Sequence, residues 1–221
     1  MRLLALALFV VGFAVAGLVI FALLWAGEAP YRDLARSNGV DRFVFVLPPD
    51  GRQETDLETA VALHGEWSRY VTGATTEPPR PTPTLFTEDE YAHMADVRRV
   101  FDGARLGVPA GLFVIIVRLQ RARAAGPGAM WRLARDGALI SLGAVAIVGI
   151  VAAVAFEPLF LAFHYVFFPQ GNFLFDPATS NLIRLYPEWY WEGISLRVGL
   201  SFIGLALGVA VVGQLRLRAA K

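Results

Sequence analysis

Three stretches of the chain are apolar over lengths that suit a lipid bilayer. Leu3 to Trp25 carries no charge, Gly137 to Phe156 is uninterrupted, and Ile194 to Leu215 has only Arg197 near one end. Each supplies the roughly 20 apolar residues that cross a bilayer core of about 30 Å at about 1.5 Å per residue. A fourth is less plain. Leu106 to Val117 is too short to cross alone, but its helical pattern runs back through Val100, Val97 and His93. A helix from His93 to Val117 would reach about 37 Å, with Pro109 as a kink that membrane helices tolerate. The alternative for this stretch is a re-entrant or surface helix. For the first run the alternative is a cleaved signal peptide. That run is long for one, and a cut after Ala29 would set Pro30 just past the scissile bond.

The polar stretches between these runs complete the expected layout. A transmembrane helix covers 1–25 and an extracytoplasmic cap 26–86. A second helix, with an outer cap turn, covers 87–119, and a cytoplasmic loop covers 120–136. A third helix with an interfacial extension spans 137–168, followed by an outer loop over 169–193. The last helix covers 194–215 and a cytoplasmic tail 216–221. The fold class is an all-α membrane protein with four transmembrane helices and a small mixed cap between helices 1 and 2. Within the cap, Phe43 to Leu47 reads as a strand bounded by Asn38-Gly39 and Pro48-Pro49-Asp50-Gly51. Leu57 to Tyr70 has helical spacing, with Leu63 and Trp67 on one side. Thr87 and Glu90 have the spacing of a capping box. Gly137 to Phe168 would run about 48 Å as one helix, more than the bilayer core needs. Glu157-Pro158 is its natural break, because the residue before proline is pushed out of helical dihedrals.

Composition agrees: 56% of the 221 residues are hydrophobic and 18% charged, where a soluble domain carries nearer a quarter charged. A net charge of +1 and no basic run interleaved with aromatics give no reason to expect nucleic acid. The chain has no cysteine, which excludes disulfides, thiolate metal sites and cysteine nucleophiles. Arg118, Arg121, Arg123, Arg132 and Arg135 face Asp136 alone between the second and third runs. Arg2, Arg216, Arg218 and Lys221 lie at the chain ends. By the positive-inside rule these segments are cytoplasmic and both long polar connections lie outside. Trp25, Trp189, Tyr190 and Trp191 fall where an outer interfacial belt belongs.

Of three histidines, two stand at outer ends of spans. Asp89, His93 and Asp96 follow at i, i+4 and i+7, one stripe of a helix. A carboxylate one turn away can orient an imidazole as a general base requires. A solvated polar turn would look the same. His164 lies in an apolar run, seven residues beyond Glu157, and an ionisable group at membrane depth points to function. A histidine bonded to a backbone carbonyl is the plainer reading. His64, in the cap, reads as a surface residue. No HExxH spacing brings metal ligands one turn apart, and no GxSxG or SxxK nucleophile motif occurs. Imidazole acid/base chemistry without a metal, a cofactor or a protein nucleophile is what remains.

Two segments carry a resemblance. His93-Met94-Ala95-Asp96-Val97-Arg98 resembles the H-M-x-D-V-[KR] segment of the lipoprotein intramolecular transacylase family. Phe163-His164-Tyr165-Val166-Phe167-Phe168, then Phe175-Asp176-Pro177 and Leu185-Tyr186-Pro187-Glu188-Trp189, resembles that family's second signature. The likeness implies an enzyme of the bacterial cytoplasmic membrane whose partners are a diacylated lipoprotein and membrane lipid. It would move the sn-2 acyl chain of a diacylglyceryl-cysteine to that cysteine's own α-amine, leaving a lyso-form lipoprotein. It implies His93 and His164 as the catalytic pair, in either order, on the extracytoplasmic side. Asp89, Asp96 and Glu157 would support them; Tyr165, Asp176, Asn181, Arg184 and Glu188 would line the site. The rival readings are a membrane hydrolase using the same histidines on water, and a scaffold or small transporter.

Overall fold

A computed structural model describes residues 2–47 and 51–219. Pro48, Pro49, Asp50 and Lys221, named above, lie outside the described residues. The helices are α1 (Arg2–Trp25), α2 (Glu28–Ser37), α3 (Leu57–Val71), α4 (Glu88–Ala124), α5 (Ala129–Val154), α6 (Phe156–Phe167), α7 (Asn181–Leu185) and α8 (Glu188–Ala219). The strands are β1 (Arg42–Leu47) and β2 (Gly51–Asp56), antiparallel with Phe43 opposite Thr55 and Phe45 opposite Gln53. Among the described residues, α1, α4, α5 and α8 are long and apolar enough to cross a membrane. The expected fold class therefore holds, cap included. The chain divides into two compact units.

The membrane unit takes the chain up to Ala22, Ala104–Val154 and the chain from Leu196 on. Its interior is aromatic and small: Phe9, Phe13, Phe202, Ala134, Ala138 and Ala206. Its outer faces carry exposed Leu106, Phe113, Ile147 and Leu207. That arrangement suits lipid, where helices associate by close packing at small residues. A Cβ on Gly111 would lie 2.7 Å from the Gly12 carbonyl oxygen, so α1 and α4 meet backbone to backbone. The helices extend past the apolar runs because charge does not break a helix. The expected loop 120–136 shrinks to a turn at Gly126-Pro127-Gly128, where both glycines have positive φ. Arg121, Arg123, Arg132 and Arg135 stand on helix ends.

The cap unit takes Leu23–Gly103 and Ala155–Ser195. Phe43 and Phe45 of β1 point inward and join Tyr31 of α2, Val61 and Trp67 of α3 and Leu185 of α7 in one core. Thr87 caps α4 as a capping box: its Oγ1 accepts from Glu90 N at 3.2 Å and its N–H donates to Glu90 Oε2 at 2.8 Å. The other Glu90 oxygen accepts from Ser180 Oγ (2.6 Å) and Leu182 N (2.7 Å). Asn181 bonds Val46 through both its amide ends and donates to Leu85 O. These bonds fasten the segment before α7 to β1 and to the first turn of α4.

Three expectations change. His64 is not a surface residue: it is 2% exposed, on the α3 face that also buries Ala60, Val61, Trp67 and Val71. It lies between Ala26 O (3.0 Å) and Tyr186 OH (3.2 Å). Tyr190 belongs to the same buried aromatic group rather than to an interfacial belt. The break after α5 falls at Ala155 rather than Glu157-Pro158. Pro158 then sits in the first turn of α6, where no N–H is required of it. At twelve residues, about 18 Å, α6 is too short to cross.

Candidate active site

His93 projects from the second turn of α4 and His164 from the third turn of α6. Their ring centroids lie 6.1 Å apart with planes inclined by 19°, and both are buried. The pair so paired in space is 71 residues apart in sequence. Phe168 and Phe175 pack on His93, at 4.9 and 5.6 Å. Phe160 and Phe173 pack on His164, at 4.2 and 5.1 Å. Water is thus excluded from much of each ring by aromatic edges and faces.

His164 Nδ1 lies 2.8 Å from Phe160 O, one turn back in its own helix. A carbonyl only accepts, so Nδ1 carries the hydrogen and Nε2 the lone pair. Burial pushes the His164 imidazole below its ordinary range, and the Phe160 bond opposes this in part. His93 Nδ1 is buried without a hydrogen-bond partner among the described residues. A buried orphan nitrogen costs free energy unless a ligand satisfies it.

The expected carboxylates behave differently from the stripe that suggested them. Asp89 and Glu157 are exposed, and neither bonds a histidine among the described residues. Asp96 is buried, yet its partners are Gln170 Nε2 and Asn172 Nδ2, each 2.5 Å from Oδ2, and the guanidinium of Arg99. Asp96, Arg99, Val100, Phe167 and Gln170 line a cleft of about 450 Å³ beside this network.

The remaining expected site residues are tied elsewhere. Asn181 fastens α7 to β1, as above. Asp176 accepts from Ala178 N at 2.8 Å in a turn. Arg184 donates to Val44 O, Pro177 O and Ala178 O. Glu188 opens α8, exposed. Tyr165 is exposed beside Phe173, with ring centroids 5.2 Å apart. None bonds either imidazole among the described residues. Gln170 and Asn172 were not anticipated, because Pro169-Gln170-Gly171-Asn172 reads as ordinary turn composition. Among the described residues, no three His, Asp or Glu side chains are grouped to hold a metal ion.

The sequence profile of the family described as "Lipoprotein intramolecular transacylase Lit" matches residues 1–191. No curated protein sequence matches the chain. Among solved structures, the membrane integral lipoprotein intramolecular transacylase from Bacillus cereus superposes with a TM-score of 0.72 at 13% identity. That match covers 99% of this chain and 98% of the other. Two variants of the same Bacillus cereus protein, with one histidine changed to arginine or to alanine, each superpose with a TM-score of 0.65 at 11% identity. They cover 98% of this chain and 92% and 93% of theirs. At such identities the likeness is one of fold.

Proposed function

The chain belongs to the lipoprotein intramolecular transacylase family, and on that premise we propose that it moves the sn-2 acyl chain of a diacylglyceryl-cysteine lipoprotein to the α-amine of the same cysteine, with His93 and His164 as its acid/base pair. The observation that carries this reading is the pair of buried, nearly parallel imidazoles, one bonded to a carbonyl and the other with an unpartnered nitrogen.

The proton balance of the reaction suits two open lone pairs. An α-amine has a pKa near 8, so it arrives largely as ammonium and must lose two protons to become an amide. His93 takes the first, and the proton leaves to solvent. The freed amine attacks the sn-2 carbonyl carbon. His164 Nε2 takes the second proton as the C–N bond forms and returns it to the glycerol oxygen as the C–O bond breaks. Since its Nδ1 hydrogen is held by Phe160, His164 donates to the leaving oxygen only after it has accepted. The product is an N-acyl, S-monoacylglyceryl cysteine, and no water is consumed. Donor and acceptor share one molecule, so holding them together supplies much of the rate. The enzyme is read as a protein of the bacterial cytoplasmic membrane, both chain ends on the cytoplasmic side and the histidines facing outward.

Expression in a bacterium lacking lipoprotein N-acylation, followed by mass spectrometry of one lipoprotein's N-terminal peptide, tests this. The expected product is the lyso form with an N-acyl cysteine. A free fatty acid beside an unacylated amine would instead establish hydrolysis.

A further inference from the structure

The turn after α6 brings two side-chain amides onto one carboxylate oxygen of α4. Gln170 Nε2 and Asn172 Nδ2 each lie 2.5 Å from Asp96 Oδ2. Gly171, at φ 79°, reverses the chain between them, and its N–H donates to Phe168 O at 3.0 Å. We propose that Asp96, Gln170 and Asn172 form a latch that holds 168–175 across both imidazoles, and that all three are positioning residues for the reaction. The proposal rests on reading His93 and His164 as the acid/base pair.

The latch follows from what stands on its two sides. On one is α4, from which His93 projects three residues before Asp96. On the other is a segment whose aromatic rings enclose the pair. The Phe168 ring centroid lies 4.9 Å from that of His93 and 5.4 Å from that of His164. Phe175 lies 5.6 Å from His93, and Phe173 5.1 Å from His164. Phe168 N donates to His164 O at 2.7 Å, so a turn fixed to α4 also fixes the last turn of α6, with His164 on it. An ionised carboxylate only accepts, which lets one oxygen gather two N–H donors. Asp96 is 6% exposed, so these hydrogen bonds are charge-assisted and little weakened by water. Oδ1 pairs with the Arg99 guanidinium, and none of these partners is an imidazole. Gln170 Nε2 also donates to Asn172 Oδ1 at 3.2 Å, which braces the two amides against each other. Asp96 thus serves the base by closing the wall of the site around it.

The test uses the full chain in lipid nanodiscs and reads how open each histidine is. Diethyl pyrocarbonate acylates unprotonated imidazoles that it can reach, and mass spectrometry of the peptides separates the three histidines. Two variants are compared with the unaltered chain: Asp96→Ala, and Gln170→Ala combined with Asn172→Ala. In both, labelling of His93 and His164 should speed up several-fold, while His64, buried in the cap core, stays as slow as before. Turnover of the lipoprotein should fall roughly 10²-fold, the cost of misplacing a reacting group by about 1 Å. Joining all three substitutions should cost less than about threefold beyond either variant, because residues of one network do not add. The amide variant leaves α4 intact and gives the answer if Asp96→Ala does not fold. Unchanged labelling of His93 and His164 overturns the latch, as does full turnover with both rings opened. Losses that multiply overturn it too, and so does His64 labelling that rises in step, the mark of a general loosening. If even the unaltered chain makes no lyso-lipoprotein but the labelling still depends on these residues, the latch stands and the transacylase reading fails.

Discussion

An imidazole becomes a directed base when one nitrogen is held by a partner and the other keeps its lone pair. His164 meets that condition through Phe160 within its own helix, so its base nitrogen is fixed whatever the substrate does. Replacing either His93 or His164 with alanine is expected to lower turnover by roughly 10²–10⁴-fold, the usual contribution of a positioned acid/base. Initial-rate mass spectrometry of the product in matched membranes checks this. Burial lowers the His164 pKa, so the ring stays unprotonated to lower pH than a free histidine. The acid limb of the rate profile should therefore lie below about 6.5, the ordinary histidine value; a limb at or above it would contradict the assignment. His64 carries a stability consequence instead. Burial pushes it down to about 4. Between that value and about 6.5 the unfolded chain binds more protons, so stability falls as pH drops through this window. The loss is of order 3 kcal/mol at most, and unfolding of His64→Gln followed from pH 7 to 4.5 should show a flatter slope.

Elements with a strong hydrophobic period or a cap signal were legible in the sequence, and those built by their neighbours were not. The four spanning helices follow from apolar length, and α4 begins where Thr87 and Glu90 make reciprocal bonds. By contrast β2 is Gly-Arg-Gln-Glu-Thr-Asp, with only Thr55 buried. It is a strand because β1 lies beside it. The helix α2 turns only Tyr31, Leu34 and Ala35 inward among charged residues, too short a stripe to stand out. The two histidines could be singled out because each sits where a span leaves its apolar run. Asn172 could not, since an amide in a turn has many uses and only the fold brings it to Asp96. Asn181 has one such use: its amide joins β1, α7 and Leu85. Asn181→Ala leaves buried main-chain groups unpaired and should cost about 1–3 kcal/mol, measurable as a lowered unfolding midpoint. Gly111→Leu, set against the Gly12 carbonyl, should destabilise the membrane unit by a similar 1–3 kcal/mol through overpacking.

At the scale of the whole molecule, the absence of cysteine makes topology directly measurable. A single cysteine at exposed Thr84, in the cap, should react with a membrane-impermeant maleimide on intact cells. One at exposed Ala125, in the arginine-flanked turn, should react only after permeabilisation, and the reverse pattern would put the site on the wrong side. Such a protein would work on a substrate it can hold only from within the membrane, with the acyl donor and the amine already tethered to each other. The most direct test of that claim is an isotope crossover on the purified full chain. A lipoprotein with a heavy cysteine and a heavy sn-2 acyl chain is mixed with its light counterpart, and the N-terminal peptides are weighed. Intramolecular transfer predicts N-acyl cysteines that are wholly heavy or wholly light. Heavy acyl chains on light cysteines, or acyl chains released as free acid, would contradict it.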